Sequence, residues 1–289
     1  MDFFDLHTHS FYSDGFLSPE DLIKKAKSFG FKKISLTDHN TIKGVDQAID
    51  FGKKYGVQVI PGVEIYTHYK EFHLHILGYN FDYNNKDLLK TLSNLQKEKI
   101  SSLKKLIALL KEKKWKINEK EIFSSPSSYP GIGIVASTLL KGKNFERVKK
   151  EVKIRPGQIF GISDLISFYY QSYFSLCPEA EIPSEQAIEL IHQAKGKAVL
   201  AHPGQQLSRK HWFIVKELKE KGLDGLEAIS GHHSWEKQDY WQRIAKEFNL
   251  FITAGSDYHG DLPKQWGLPI NTLWQYFRFS LERFKDMPL

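Results

Sequence analysis

Six short packets of metal-binding residue types stand, in order, where probable strands end, and this pattern restricts the chain to folds that bring strand ends together. The packets are Asp-Leu-His-Thr-His (Asp5 to His9), Thr-Asp-His-Asn (Thr37 to Asn40), Gly-Val-Glu (Gly62 to Glu64), His-Ile-Leu-Gly-Tyr (His75 to Tyr79), Ala-His-Pro-Gly (Ala201 to Gly204) and Gly-Ser-Asp-Tyr-His-Gly (Gly255 to Gly260). Scattered histidines do not fall this way. Because side chains alternate faces along a strand, His7 and His9 are expected to point the same way, and Asp257 and His259 likewise, so each pair can grip an ion.

The packets, in this order, resemble the PHP (polymerase and histidinol phosphatase) family, and most of all its stand-alone nucleotide phosphatases and 5'-3' exoribonuclease-like phosphoesterases. The likeness covers about residues 1 to 84 and 184 to 262. One packet alone is a weak signal; six coinciding in order are a specific one. The resemblance implies a distorted (β/α)7 barrel, a cluster of two or three metal ions at the C-terminal ends of its strands, and hydrolysis of phosphate esters. The residues matching the family's ligand motifs are His7, His9, Asp14, His39, Glu64, His75, His202, Asp257 and His259.

The chemistry of those residue types agrees. Imidazoles and carboxylates with no thiolate suit zinc, manganese or iron, and leave these three open, whereas an all-oxygen set would suit magnesium or calcium. Six histidines and three carboxylates exceed one tetrahedral site, and Glu64 or Asp257 can bridge two ions. Metals about 3.5–4 Å apart clamp both the attacking and the leaving oxygen of an in-line displacement and turn a shared water into a hydroxide nucleophile near neutral pH.

Other histidines read differently. His192, inside the helical run Ser184 to Gln193, and His211 are expected at the surface or in packing, because a ligand needs convergent partners. His68 and His73 lie near matched positions, and His73 shares a strand face with His75, as an alternative ligand or substrate contact; the family's His-Ile-Leu-Gly spacing favours His75. Asp5 and Asp38 are candidates to fix an imidazole tautomer, with a structural salt bridge as the other reading. His233-Ser234 matches a family His-Ser pair, with Ser234 as a helix N-cap and His233 reaching the substrate or finishing the loop. Two departures bear on substrate choice. The stand-alone enzymes' Arg-Pro-His type signature is replaced by Gly131-Ile132-Gly133-Ile134-Val135-Ala136-Ser137, and Tyr66 stands where a small residue is usual.

Strand and helix alternate at both ends of the chain, which implies an α/β fold with a parallel sheet or barrel. Ser18-Pro19-Glu20-Asp21 reads as an N-cap, a first-turn proline and an acidic residue able to complete a capping box, opening a helix that stops at Gly30. Lys32 to Leu36 and Val57 to Ile65 read as strands, with a helix from Thr41 to Tyr55 between them. Ser184 to Ala194, Ala198 to Ala201, His211 to Lys221, Leu223 to Ile229, Ser234 to Phe248 and Leu250 to Ala254 repeat the rhythm. Between the halves, leucines from Leu88 to Leu110 recur at helical spacing and predict a long amphipathic helix from Lys86 to about Lys114. More helix is expected around Ser163 to Phe174 and a loop at Ser124 to Gly133. The division is therefore a metal-binding barrel from residues 1–84 and 184–289, with a helical insertion at 85–183.

Residues 86 to 120 hold 11 lysines against four acidic residues, a surplus of seven that equals the formal charge of the whole chain, +7. A basic helix near a metal site draws in phosphate-rich substrates; the alternative is a solvated lysine face. The single cysteine, Cys177, excludes an internal disulfide. Without a secretory signal pattern or a membrane-length apolar stretch, a cytoplasmic protein is expected, with no membrane and no obligatory protein partner. The leading function is metal-dependent hydrolysis of a nucleotide or short oligonucleotide. A small-metabolite phosphatase of the histidinol phosphate type keeps the metals, but Glu64 and His75 are only 11 apart, a spacing unlike those enzymes. A non-catalytic metal-binding module is the third reading, disfavoured by the intact ligand set.

Overall fold

The computed structural model describes residues 2–123, 127, 129–155, 160–260, 274, 277–280 and 287–289. Strands β1 (Phe3–Thr8), β2 (Phe31–Leu36), β3 (Gln58–Tyr69), β4 (Phe72–Tyr79), β5 (Ile182–Pro183), β6 (Lys197–Leu200), β7 (Gly225–Ser230), β8 (Phe251–Gly255) and β9 (Phe279–Ser280) form one sheet. Its order is β8-β7-β6-β4-β3-β2-β1-β9, with the short β5 paired to β3 off that path. The helices are α1 (Pro19–Ser28), α2 (Val45–Tyr55), α3 (Lys86–Glu112), α4 (Glu119–Phe123), α5 (Ile132–Leu139), α6 (Gly142–Val152), α7 (Ile162–Tyr169), α8 (Ser184–Gln193), α9 (Pro203–Gln206), α10 (Trp212–Glu220) and α11 (Trp235–Glu247). The sheet curls into a nearly closed barrel. Thr8 pairs in parallel with Tyr258, the His9 amide donates to Tyr258 O at 2.8 Å and the Asp257 amide donates to His7 O at 2.9 Å, so the end of β1 meets the segment after β8.

The expected parallel pairing holds for β1–β2, β2–β3, β6–β7 and β7–β8. Strand β4 departs from it, running antiparallel to both β3 and β6. The cause is local: Tyr69 pairs with Phe72, leaving a two-residue turn at Lys70-Glu71 that is too short for a crossover, and Lys70 takes a left-handed φ of 54°.

Local chemistry sets the element ends. Ser18 accepts from the Asp21 amide at 3.1 Å, as an N-cap should, but the Asp21 carboxylate takes the Ser18 hydroxyl at 2.7 Å rather than the backbone amide that a capping box requires. Helix α2 begins at Val45 instead of Thr41 because the Thr41 hydroxyl accepts from the Lys43 amide at 3.3 Å and holds a turn ahead of the helix. Gly56, at φ +72°, ends it.

One helix serves two cores. Leu88, Leu92 and Leu95 of α3 pack with barrel residues such as Val63, Ile65 and Leu74, while Leu103, Leu106, Ile107 and Leu110 pack with Trp115, Val135, Leu139 and Leu165. Each buried leucine contributes about 1.5–3 kcal/mol, so the helix is fastened at both ends of its length. The expected helix at Ser163 to Phe174 is α7 followed by a 3-10 turn at Phe174–Leu176. Of the expected loop Ser124 to Gly133, residues 124–126 and 128 lie outside the described residues, and α5 already starts at Ile132. Among the described residues no helix is long and apolar enough to cross a membrane.

Candidate metal centre

The packets converge at one end of the barrel around Glu64, which is fully buried on β3. Glu64 Oε2 lies 3.1 Å from His7 Nε2, 3.3 Å from His9 Nε2 and 2.9 Å from His39 Nδ1. Its other oxygen, Oε1, lies 2.7 Å from His75 Nδ1 and 3.1 Å from His202 Nε2. Asp257 Oδ1 is 3.2 Å from His7 Nε2 and 2.9 Å from His9 Nε2, and Asp14 Oδ1 is 3.2 Å from His259 Nε2 and 3.7 Å from His39 Nε2. The antiparallel register of β3 and β4, with Tyr66 opposite His75, carries His75 back beside Glu64 across the tight turn.

Among the described residues four overlapping groups each bring their ligand atoms within 4.8 Å of one another, one of them His7, His202 and Glu227 and the other three as follows: His7, His9, Glu64 and Asp257; Glu64, His75 and His202; His9, Asp14, His39 and His259. All nine sequence candidates fall in the latter three, where Glu64 and His9 are each shared by two. Several donor atoms here are buried without a hydrogen bond among the described residues: both ring nitrogens of His9, Asp14 Oδ1, His39 Nδ1 and Asp257 Oδ1. An unpaired buried polar atom costs about 1–3 kcal/mol, so converging nitrogens and carboxylate oxygens left in this state fit cations.

The electrostatics point the same way. Burial opposes the ionised forms of Asp14, Glu64 and Asp257, but the surrounding imidazoles outweigh it and hold all three carboxyls below their usual range. Burial also opposes protonation of His39 and His259, yet Glu64 and Asp14 beside the first and Asp14 and Asp257 beside the second push them up to about 9 and about 10. His9 falls to about 3 through burial and its neighbours His259 and His39. The carboxylates thus keep protons on imidazoles that cations would displace.

The tautomer-fixing acceptor is one that sequence reasoning missed. Glu227 on β7 is fully buried; its Oε1 lies 3.0 Å from His7 Nδ1 and its Oε2 accepts the His202 amide at 2.9 Å. An acid inside the apolar strand Gly-Leu-Glu-Ala-Ile-Ser was the available signal. Asp5, expected in that role, touches no imidazole: it accepts from the His7 amide, the Ser256 amide and hydroxyl, and Trp274 Nε1. The pairing of β1 with β2 shifts register between Asp5 and Thr8, so strict alternation does not carry Asp5 to the centre. Asp38 also meets no imidazole; it takes the Ser10 amide and the Ser10 and Ser13 hydroxyls at 2.6 to 2.7 Å, pinning the loop that presents Asp14. Burial raises both Asp5 and Asp38 to about 6.

His233 turns away: its Nε2 accepts the Gly204 amide and its Nδ1 donates to Ala228 O, both at 2.9 Å. Its neighbour His232, which the sequence did not single out, sets Nε2 2.7 Å from Asp257 Oδ2. His73 is exposed and pairs with Glu181, as does His68 more distantly, His192 pairs with Asp224, and His211 meets Ser208. The Asp257 and His259 pair owes nothing to strand alternation, since β8 ends at Gly255 and Asp257 has a left-handed φ of 59°.

Beside the centre lies a hollow of about 450 Å³, lined by Asp14, Tyr66, Glu179 and residues 131–134 and Ser137 among others. Tyr66 stacks on His39, with centroids 4.5 Å apart, and meets His75 edge-on at 4.4 Å. Helix α3 passes this rim: Gln96 Nε2 donates to Asn40 O at 2.9 Å.

Comparison with known proteins agrees with the fold. The PHP domain pattern matches residues 5–255, and the chain belongs to the PHP family. It is 32% identical over 262 residues to the 5'-3' exoribonuclease of Haemophilus influenzae, covering 89% of each protein. To the 5'-3' exoribonuclease Rnm of Escherichia coli it is 29% identical over 286 residues, 94% of this chain and 92% of that one. Its fold is similar to that of a Bifidobacterium adolescentis protein assigned to the metal-dependent phosphoesterases, with a TM-score of 0.75 at 22% identity over 93% of this chain and 90% of the other.

Proposed function

We propose that this protein hydrolyses phosphate esters of a nucleotide or short oligonucleotide using two or three divalent ions, of manganese, zinc or iron, held by His7, His9, Asp14, His39, Glu64, His75, His202, Asp257 and His259. The observation that carries this reading is the convergence of those nine residues into overlapping groups, several of whose buried atoms make no hydrogen bond among the described residues. Kinship with two 5'-3' exoribonucleases along most of the chain supports the substrate class. When bound, such ions lower the pKa of water toward neutrality and offset charge on phosphoryl oxygens.

The chain's own residues prepare that chemistry. Glu227 holds His7 so that its Nε2 faces Glu64 and Asp257, and His232 steadies Asp257 from the other side. In this reading residues 1–84 and 184–289 form the metal-binding barrel and 85–183 a helical rim, whose mostly exposed lysines gather polyanions, in a cytoplasmic enzyme. A hydrolysis panel of short oligoribonucleotides, nucleoside bisphosphates and histidinol phosphate under manganese, zinc and iron tests it, alongside metal analysis and anomalous scattering. Two or three ions per chain and turnover of nucleotide substrates are expected. At most one ion after supplementation, or preference for histidinol phosphate, would sink it.

A further inference from the structure

The hollow beside Asp14 has a lining that suits neither a metal ion nor a second phosphate. Phe11, Phe16, Tyr66, Ile132 and Ile134 give it apolar wall, and among the described residues that line it there is no lysine or arginine. Its charged groups are two carboxylates, Asp14 and Glu179. Glu179 is held in place, with Oε1 2.5 Å from Lys99 Nζ and Oε2 accepting the Tyr129 hydroxyl at 2.9 Å. A phosphate placed there would face two acids and, among the described residues that line the hollow, no lysine or arginine. At Gly133 a side chain would meet nothing within 4 Å, so the wall there is open.

The hollow adjoins the centre through Asp14, which lines it and belongs to one of the ligand groups. Tyr66 stacks on His39, and the Phe16 amide donates to His259 O at 2.7 Å. Phe16 lines the hollow with 43% of its surface exposed. Flat rings with N–H edges fit such walls: the faces stack on aromatic side chains and exocyclic amines donate to a fixed carboxylate. The volume, about 450 Å³, is in the range that encloses a small ligand.

We propose that this hollow seats the base of the nucleotide whose phosphate the centre hydrolyses, stacked among Phe11, Phe16 and Tyr66, with the Glu179 carboxylate accepting from the base. The inference rests on the proposed nucleotide phosphoesterase activity and adds to it a subsite that selects for a base and against a second phosphate.

The test compares a 5'-phosphorylated trinucleotide with the same molecule carrying an abasic first residue, in the parent, Phe16→Ala and Phe16→Trp. The parent is expected to favour the base-bearing substrate by about tenfold or more in kcat/KM, since each stacked base is worth about 1–3 kcal/mol. Phe16→Ala shrinks that ratio severalfold and Phe16→Trp preserves it; because the ratio is taken within each variant, a general loss of folded protein cancels. Equal hydrolysis of both substrates by the parent, or an unchanged ratio in Phe16→Ala, overturns the base subsite and leaves the phosphoesterase reading standing. A large gain on adding a 3'-phosphate to a mononucleotide, lost in Phe16→Ala, overturns it too, because the hollow would then hold phosphate. Hydrolysis of neither substrate under any of the three metals overturns the nucleotide reading and the subsite with it.

Discussion

The helical insertion and the barrel mouth both bury charge, and they treat it in opposite ways. In the insertion Lys99 is fully buried, but its ammonium sits 2.5 Å from Glu179 Oε1, 3.5 Å from Pro178 O and 5.8 Å from the centre of the Tyr129 ring. At the mouth, His9, Asp14, His39 and Asp257 lie 2.9 to 3.2 Å from a carboxylate or an imidazole, yet keep buried atoms with no hydrogen bond among the described residues. A closed ion pair is a structural device, neutral within itself. An open set of donors makes sense only with something to bind, because proteins seldom leave buried polar groups unpaired.

If that contrast is right, altering the two clusters should have opposite consequences. The largest effect belongs to Asp257→Asn, which removes a negative ligand with almost no change in volume: turnover should fall on the order of a thousandfold while the melting temperature barely moves. Near-normal turnover would remove Asp257 from the cluster. Next comes Glu227→Gln, which keeps the shape but withdraws the charge behind His7; a loss of about 10–100-fold in metal affinity or activity is expected. Metal titration and kcat measured on the same preparation check it, and an unchanged pair of values would reduce Glu227 to a packing residue.

Lys99→Met should do the reverse. Stability measured by denaturant unfolding should drop by about 2–3 kcal/mol, less than for a fully buried pair because Glu179 is 26% exposed, while metal content per chain stays the same. Loss of metal with unchanged stability would erase the distinction between the two regions. The smallest effect is long-range. Changing the exposed Lys90, Lys97, Lys105 and Lys113 to Gln should lower kcat/KM for a short oligonucleotide a few-fold at low ionic strength, with kcat unchanged and the deficit closing as salt is added. If parent and variant match at every salt concentration, the helix is a solvated face and its charge has no part in substrate capture.

Some of this was decided by the sequence alone, because short-range rules govern it. The leucine spacing of α3, the Ser18 cap and the glycine that ends α2 depend on backbone dihedrals and helical period, which neighbouring residues set. The six packets contained all but Asp14 of the nine residues that the structure brings into overlapping groups, and the family's His-Ile-Leu-Gly spacing favoured His75, which lies beside Glu64, over the exposed His73. Other features depended on partners far away in the chain. Nothing local said that Glu227 would stand behind His7, 220 residues earlier, or that Asp5 would spend its carboxylate on Ser256 and Trp274. His232 and His233 are equivalent as letters; the close approach of Gly204 to the ring of His233 turned one inward as a strut and left the other for Asp257. A hydrogen bond is satisfied by whichever group the closed barrel brings within about 3 Å, and that distance exists only once the strands have met.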